Sequence, residues 1–280
     1  MKIGFIGFGH MAGAIAKGLI RSGFVKAEDL YACASDYERL IVRLSASGSA
    51  GETSGDKEDK PGFSVSLQGV NAFKSAAEVA ENSEIVIVAV KPNQVEEVIS
   101  PIKDKLSERA IISVAFGWDY EKYEALLPGL KHISTIPNTP CEVCMGMTII
   151  EERHNLSESE LNGVESLLKA FGEIAYFSSD KMWLAGELTS CGPAFAAMFI
   201  EALGDAGAKY GLDREDAYRI VSQMVAGTGT LQIETGKNPG QMAEEVATPG
   251  GITIKGVTAL LNSDFHTIVS KAIDAIESKN

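Results

Sequence analysis

The sequence predicts a mostly parallel α/β domain followed by an all-α domain, and three features carry that expectation. A glycine-rich turn, Gly7-Phe8-Gly9-His10-Met11-Ala12, stands directly between an apolar run and an amphipathic one. Short β-branched runs then alternate with helical stretches as far as Phe177, the pattern of βαβ units in a sheet covered on both faces. Beyond that point the strand signals stop and amphipathic helical segments continue to the end.

Residues 2–6 are a short apolar run that ends in glycines, and apolar side chains over 11–20 fall at helical spacing, so the chain opens strand, turn, helix. Residues 30–34 predict a second strand and a helix begins near Asp36, completing the first βαβ unit. Residues 45–62 (SASGSAGETSGDKEDKPG) are rich in Gly, Ser and charge without apolar periodicity, and are expected to be a polar insertion. Residues 85–90 (IVIVAV) have the composition of a central strand buried on both faces. Further strands are expected at 110–115, 132–136, 147–150 and 174–177, with a helix over 158–171.

Helices are expected over 194–210, 214–236, 254–261 and 264–277; in the last, Phe265, Ile268, Val269, Ala272, Ile273 and Ile276 form one stripe. A boundary near Ser178 divides the chain into domains 1–178, carrying the 45–62 insertion, and 179–280. The helical half is dense in small residues, among them Ala196, Ala197, Gly204 and Gly207. Such faces allow close helix contacts, and a small helical domain of this kind completes its core with a second copy, so a homodimer or higher homo-oligomer is expected.

Composition narrows the function. In 280 residues, 45% apolar and 22% charged side chains exclude wholesale disorder and fibrous repeats. A net charge of -13 opposes extended contact with nucleic acid or an anionic membrane, and no apolar run approaches the ~18 residues of a membrane helix. Four cysteines in a chain of this length make no disulfide framework, and the N-terminal stretch lacks a secretory pattern, so a cytoplasmic location is expected. Cys141-Glu142-Val143-Cys144 is a CxxC without a second ligand pair, and no metal site is expected.

The GxGxxA turn has a specific physical use. Its first glycine permits the tight turn, the second lets backbone approach a pyrophosphate, and the alanine lets helix pack on strand. The helix N-terminus supplies amides and a positive dipole end to the anion. Cofactor choice falls to the tip of the second strand, Ala34-Ser35-Asp36. Ser35, with Arg39 one helical turn on, suits a 2′-phosphate, whereas Asp36 suits free ribose hydroxyls; NADP(H) is the preferred expectation and NAD(H) stays possible. Thr248-Pro249-Gly250-Gly251-Ile252-Thr253 precedes a helical segment and can present backbone N–H groups to a small carboxylate, or can serve simply as a helix connection.

Taken together, GFGHMA, VAVKPNQ (88–94), PNTP (137–140), CGPAF (191–195), EALGDAGAKYGL (201–212) and TPGGIT (248–253) resemble the Δ1-pyrroline-5-carboxylate reductase family over nearly the whole chain apart from 45–62. The resemblance implies an N-terminal Rossmann domain, a helical dimerisation domain, and NAD(P)H-dependent reduction of the small cyclic imine pyrroline-5-carboxylate to L-proline. It implies a cofactor lying on the loop Gly7, Phe8, Gly9, His10, Met11 and Ala12 and against Val90, Lys91 and Pro92; Ser35 and Arg39 at the second strand tip, and Ala115, complete the expected cofactor set. The substrate carboxylate falls to Thr248, Gly250, Gly251 and Ile252, and the ring nitrogen to Thr253 as the catalytic hydroxyl. His10, Ser134, the stretch Thr189-Ser190-Cys191, and Met224 depart from the family pattern. These departures leave room for a relative acting on another imine or a β-hydroxyacid, or for a non-catalytic dinucleotide-binding regulator. Both anion sites are expected to rely on backbone amides more than on side-chain charge.

Overall fold

The computed structural model describes residues 1–46 and 65–278. The chain begins with β1 (Ile3–Ile6), α1 (His10–Arg21), β2 (Leu30–Cys33) and α2 (Tyr37–Ser45). Ser45 closes α2 and Ala46 caps it, and the rest of the expected polar insertion, 47–62, lies outside the described residues. There follow β3 (Asn71–Phe73), α3 (Ala76–Asn82) and β4 (Ile85–Val88), then α4 (Val95–Ile99), α5 (Lys103–Leu106) and β5 (Ala110–Ser113). Next come α6 (Tyr120–Leu126), β6 (His132–Ile136), a 3-10 turn at Thr139–Val143, β7 (Gly146–Glu151), α7 (Glu158–Lys169) and β8 (Gly172–Phe177).

Local chemistry sets many of these starts. Asp36 caps α2 by accepting from the Arg39 amide at 2.9 Å. Ser75 with Glu78, and Ser157 with Glu160, form reciprocal capping boxes on α3 and α7. By contrast α1 begins after Gly9 with no side-chain cap, so its first amides remain available to an anion.

The eight strands of the described residues lie in the order β3-β2-β1-β4-β5-β6-β7-β8. All neighbours run parallel except β6 and β7, which are antiparallel. The first six positions are the doubly wound dinucleotide-binding order, in which the sequence of strand addition reverses between β1 and β4 and opens a crevice at their carboxyl ends. Side chains alternate across the sheet, so Ile3, Phe5, Ile85 and Ile87 pack with α1 and α7, while Ile6, Val86 and Val88 pack with α3 to α6. Both faces are therefore buried, the reason these strands read as continuous apolar runs. The strands expected to reach 90 and 115 end at Val88 and Ser113, and the residues beyond leave the ladder.

The helical part starts with α8 (Ser179–Lys209), an unbroken helix of 31 residues that contains Pro193. It begins 15 residues ahead of the helix expected at 194–210. The described chain divides into two compact units, Met1–Pro193 and Ala194–Asn280.

In the second unit α9 (Arg214–Thr235) is capped by Asp213 and stopped by left-handed Gly236. Asp205 on α8 accepts from the Tyr218 hydroxyl at 2.8 Å and pairs with Arg214 at 2.9 Å, tying α8 to α9. Then come α10 (Pro239–Val246), α11 (Thr253–Asn262) and α12 (Phe265–Glu277), none of which has a buried residue. The expected α12 stripe is present but uncovered, with Ile268 60% and Val269 47% exposed.

Candidate active site

A cavity of about 570 Å³ opens at the carboxyl ends of β1 and β4. Gly7, Phe8, Gly9, His10, Ser35, Arg39, Val90 and Lys91 of the expected set line it. Gly7 has φ +88°, and a Cβ there would lie 2.7 Å from the Ala89 carbonyl oxygen. Its amide donates to the Cys33 carbonyl at 3.0 Å, which pins the loop across the strand tips. The positive φ and the close backbone leave room for no side chain. A Cβ at Gly9 would meet nothing within 4 Å, so a ligand can approach the backbone closely there.

Four expected residues stand outside the lining. Ala12 is fully buried beneath the loop and Met11 packs half-buried on the same core, consistent with a supporting role for both. Ala115 is buried in the opposite core layer, its amide donating to the Ser113 hydroxyl at 3.2 Å. Pro92 opens a 3-10 turn, and its carbonyl accepts from the Trp118 indole at 2.8 Å.

The lining also carries two cations that were not expected, Arg43 and Lys74. Arg39, Arg43, Lys74 and Lys91 face the cavity with Asp36 as its acidic member, so side chains as well as backbone amides offer positive potential to an anion. Asp36 already accepts the Arg39 amide as the α2 cap. Arg43 donates through Nη1 to the Phe8 carbonyl at 2.8 Å, bracing the glycine loop from α2. A signal for Arg43 existed in its spacing of one helical turn from Arg39. Lys74 had none, because it follows a three-residue strand whose place is set by pairing with β2.

The Thr248–Thr253 segment has a definite geometry of its own. The Gly251 amide donates to the Thr248 carbonyl at 3.1 Å, and Gly250 has φ +77°. With Pro249 ahead of it, this is a type II turn, which requires a residue tolerant of positive φ at its third position. Ile252 is 87% exposed, α11 has no side-chain cap, and Thr253 is its first residue, also exposed. The turn therefore leads into a helix N-terminus whose amides are open to a carboxylate.

The departing positions fall in varied surroundings. Ser134 is buried, and its hydroxyl finds no partner among the described residues. Cys191 is half-buried in α8, and Met224 is 44% exposed on α9. In the CxxC, Cys141 is fully buried and burial pushes its thiol up to about 12. Cys144 adopts a left-handed conformation at the end of the 3-10 turn. Among the described residues no group of three or more His, Cys, Asp or Glu side chains could hold a metal ion. His132 is buried beside Glu124, with Nε2 and Oε2 3.2 Å apart, and burial lowers its pKa. Among the described residues no helix is long and apolar enough to cross a membrane.

Comparisons with known proteins agree across both parts of the chain. Residues 179–280 match the family model for pyrroline-5-carboxylate reductase dimerisation, and residues 2–117 match that for NADP oxidoreductase, coenzyme F420-dependent. The pyrroline-5-carboxylate reductase of Treponema pallidum is 34% identical, the alignment covering 100% of both chains. The reductase of the same name from Escherichia coli is 31% identical over 100% of this chain and 97% of its own. The crystal structure of Plasmodium falciparum pyrroline carboxylate reductase with NADP bound superposes with a TM-score of 0.81 at 28% identity, covering 100% of this chain and 96% of that one. End-to-end relationship at this level, on a fold with the glycine loop at its switch point, places the chain in the pyrroline-5-carboxylate reductase family.

Proposed function

We propose that the protein is an NAD(P)H-dependent reductase that converts 1-pyrroline-5-carboxylate to L-proline, the last step of proline biosynthesis. One observation carries this reading: the chain aligns over its whole length with reductases of that name.

The cavity fits a nicotinamide dinucleotide, because the open space over Gly9 admits a diphosphate to the loop backbone and basic side chains line the cavity. When bound, that cofactor supplies the hydride for the imine carbon. The Gly7 to His10 backbone and the start of α1 hold its phosphates. Ser35 and Arg39 favour NADP(H), while Asp36, with one carboxylate oxygen engaged by the Arg39 amide, leaves NAD(H) as the weaker alternative.

On the substrate side, the Thr248 to Ile252 turn and the α11 amides hold the carboxylate by charge-assisted hydrogen bonds. The Thr253 hydroxyl orients the ring nitrogen. An ordinary hydroxyl is too weak an acid to protonate it alone, so Thr253 positions the nitrogen and relays a proton from water. Orientation of the two reactants supplies most of the acceleration.

The division into a cofactor domain (1–178) and a helical substrate domain (179–280) is part of this reading, and so is assembly as a homodimer or higher homo-oligomer. The uncovered apolar faces of α10, α11 and α12 support assembly. A cytoplasmic location agrees with four free cysteines.

The test is an assay of purified protein with racemic pyrroline-5-carboxylate and NADPH or NADH, followed by nicotinamide absorbance. Substrate-dependent oxidation is expected, faster with NADPH. No oxidation with either cofactor, despite measurable cofactor binding, overturns the reading.

A further inference from the structure

We infer that Lys74, at the tip of β3, is a specificity-determining residue that holds the 2′-phosphate of the adenosine end of the cofactor, with Arg43 as a positioning residue for the glycine loop. The inference rests on the NADP(H) reading and adds residues to it.

Placement comes first. β2 and β3 pair in parallel with Cys33 opposite Phe73, so the residues that follow, Ala34 and Lys74, leave adjoining strand tips on the cavity side. Ser35, Asp36, Arg39, Arg43 and Lys74 all line that end of the cavity. Lys74 is brought there by strand pairing alone, from the far side of residues 47–64.

Charge comes second. Among the described residues neither Lys74 nor Arg39 forms an ion pair with a carboxylate; the Lys74 ammonium instead lies 5.4 Å from the centre of the Tyr37 ring, which steadies it beside the start of α2. Asp36, the acid of this group, is engaged as the α2 cap. With Arg43 tied to the glycine loop, Lys74 and Arg39 therefore face one committed carboxylate, in a chain whose net charge is -13. A phosphate monoester carries nearly two negative charges and accepts charge-assisted hydrogen bonds from such a cluster, whereas a ribose hydroxyl is neutral. The cluster therefore discriminates between the two cofactors at the adenosine end.

Arg43 acts differently. Its guanidinium is tied to the Phe8 carbonyl at 2.8 Å, so it shapes the loop that holds the diphosphate common to both cofactors. Its loss is expected to weaken NADPH and NADH together, unlike the loss of Lys74.

The test uses calorimetric titration of the full chain with adenosine 2′,5′-bisphosphate and with 5′-AMP. Wild type is expected to prefer the bisphosphate. In Lys74→Gln, affinity for the bisphosphate is expected to fall about tenfold, the size of one charge-assisted contact, with 5′-AMP affinity unchanged and Lys74→Arg restoring most of the loss. Lys74 is exposed, and an unchanged thermal melt for each variant verifies that the fold is intact. A wild type without preference overturns the NADP(H) reading itself. A wild type that prefers the bisphosphate, with Lys74→Gln equally selective, overturns the assignment of Lys74 alone.

Discussion

The Asn138 side-chain amide donates to the Thr189 carbonyl at 3.0 Å, the acceptor that Pro193 leaves without a helical donor four residues further along α8. Proline inside a helix has no N–H to give, and a carbonyl partly shielded from water is better paired than left alone. Asn138 fills the gap, and its own carbonyl oxygen accepts from the Met147 amide at 2.8 Å. The β6 to β7 connection is thereby coupled to the middle of α8, which stays helical through Cys191-Gly192-Pro193.

Asn138→Ala is expected to destabilise the protein by about 0.5–1.5 kcal/mol, the net worth of one hydrogen bond between half-buried groups. Urea denaturation measures it. In a Pro193→Ala background Thr189 regains a helical donor, and the effect of Asn138→Ala should shrink. Strictly additive effects in that double-mutant cycle would contradict the coupling.

Gly7→Ala should abolish tight dinucleotide binding and destabilise the fold by about 1–3 kcal/mol, because it forces a side chain into positive φ against the Ala89 carbonyl 2.7 Å away. Gly9→Ala, with open space around the position, should weaken the cofactor while leaving stability within about 1 kcal/mol of wild type. Equal stability losses for the two variants would mean that the loop is not pinned at Gly7.

Thr253→Ala is expected to lower kcat by about 100- to 1000-fold, the range for removal of one hydrogen-bonding group at a reacting centre. NADPH affinity should be unchanged and Thr253→Ser should recover most of the activity. Steady-state kinetics together with direct cofactor titration separate these; lost cofactor binding would place Thr253 elsewhere in the site.

Glu160 pairs with Lys131 at 2.8 Å and closes the Ser157 capping box. The Lys131 ammonium, with the Ser157 hydroxyl and amide, lowers its pKa from 4.5 to about 2. A carboxyl depressed in the folded state stabilises above its unfolded pKa, and that stabilisation fades as pH falls towards the folded value. Glu160→Gln should therefore be less stable than wild type at pH 7, with the difference narrowing from about pH 4.5 downward. Denaturation midpoints across pH test this, and a gap that widens on acidification would be the wrong sign.

Ile268 lies 60% exposed on the α12 stripe. Ile268→Glu should shift the protein toward monomer in sedimentation velocity while preserving helical circular dichroism, since a charge in an apolar subunit contact opposes burial. An unchanged sedimentation coefficient would place the contact on another face.

Much of the architecture was legible because it is written in local terms. Val86 to Val88 are β-branched on both faces, Gly7 and Gly9 punctuate a strand and a helix, and the α12 stripe repeats at helical spacing. Where local terms were weak, the reading was incomplete. β3 is three residues long, and α10 begins at a proline after Asn238, a helix start that resembles loop punctuation. Gly192-Pro193 has the same look of punctuation, so the first half of α8 is not legible as helix without the support that Asn138 gives it from 51 residues away.

By itself the sequence determined seven of the eight strands, the helices near 11–20, 158–171, 214–236 and 264–277, the glycine loop and the Thr-Pro-Gly-Gly turn, because these depend on backbone preferences and on contacts a few residues apart; the family was legible as a resemblance carried by motifs in their order. Tertiary structure alone decided that β7 runs antiparallel to β6, that Asn138 meets Thr189, and that Lys74 brings charge to a cavity expected to rely on amides. Such placements follow from strand register and helix packing, where one residue's slip would turn Lys74 to the other face of the sheet.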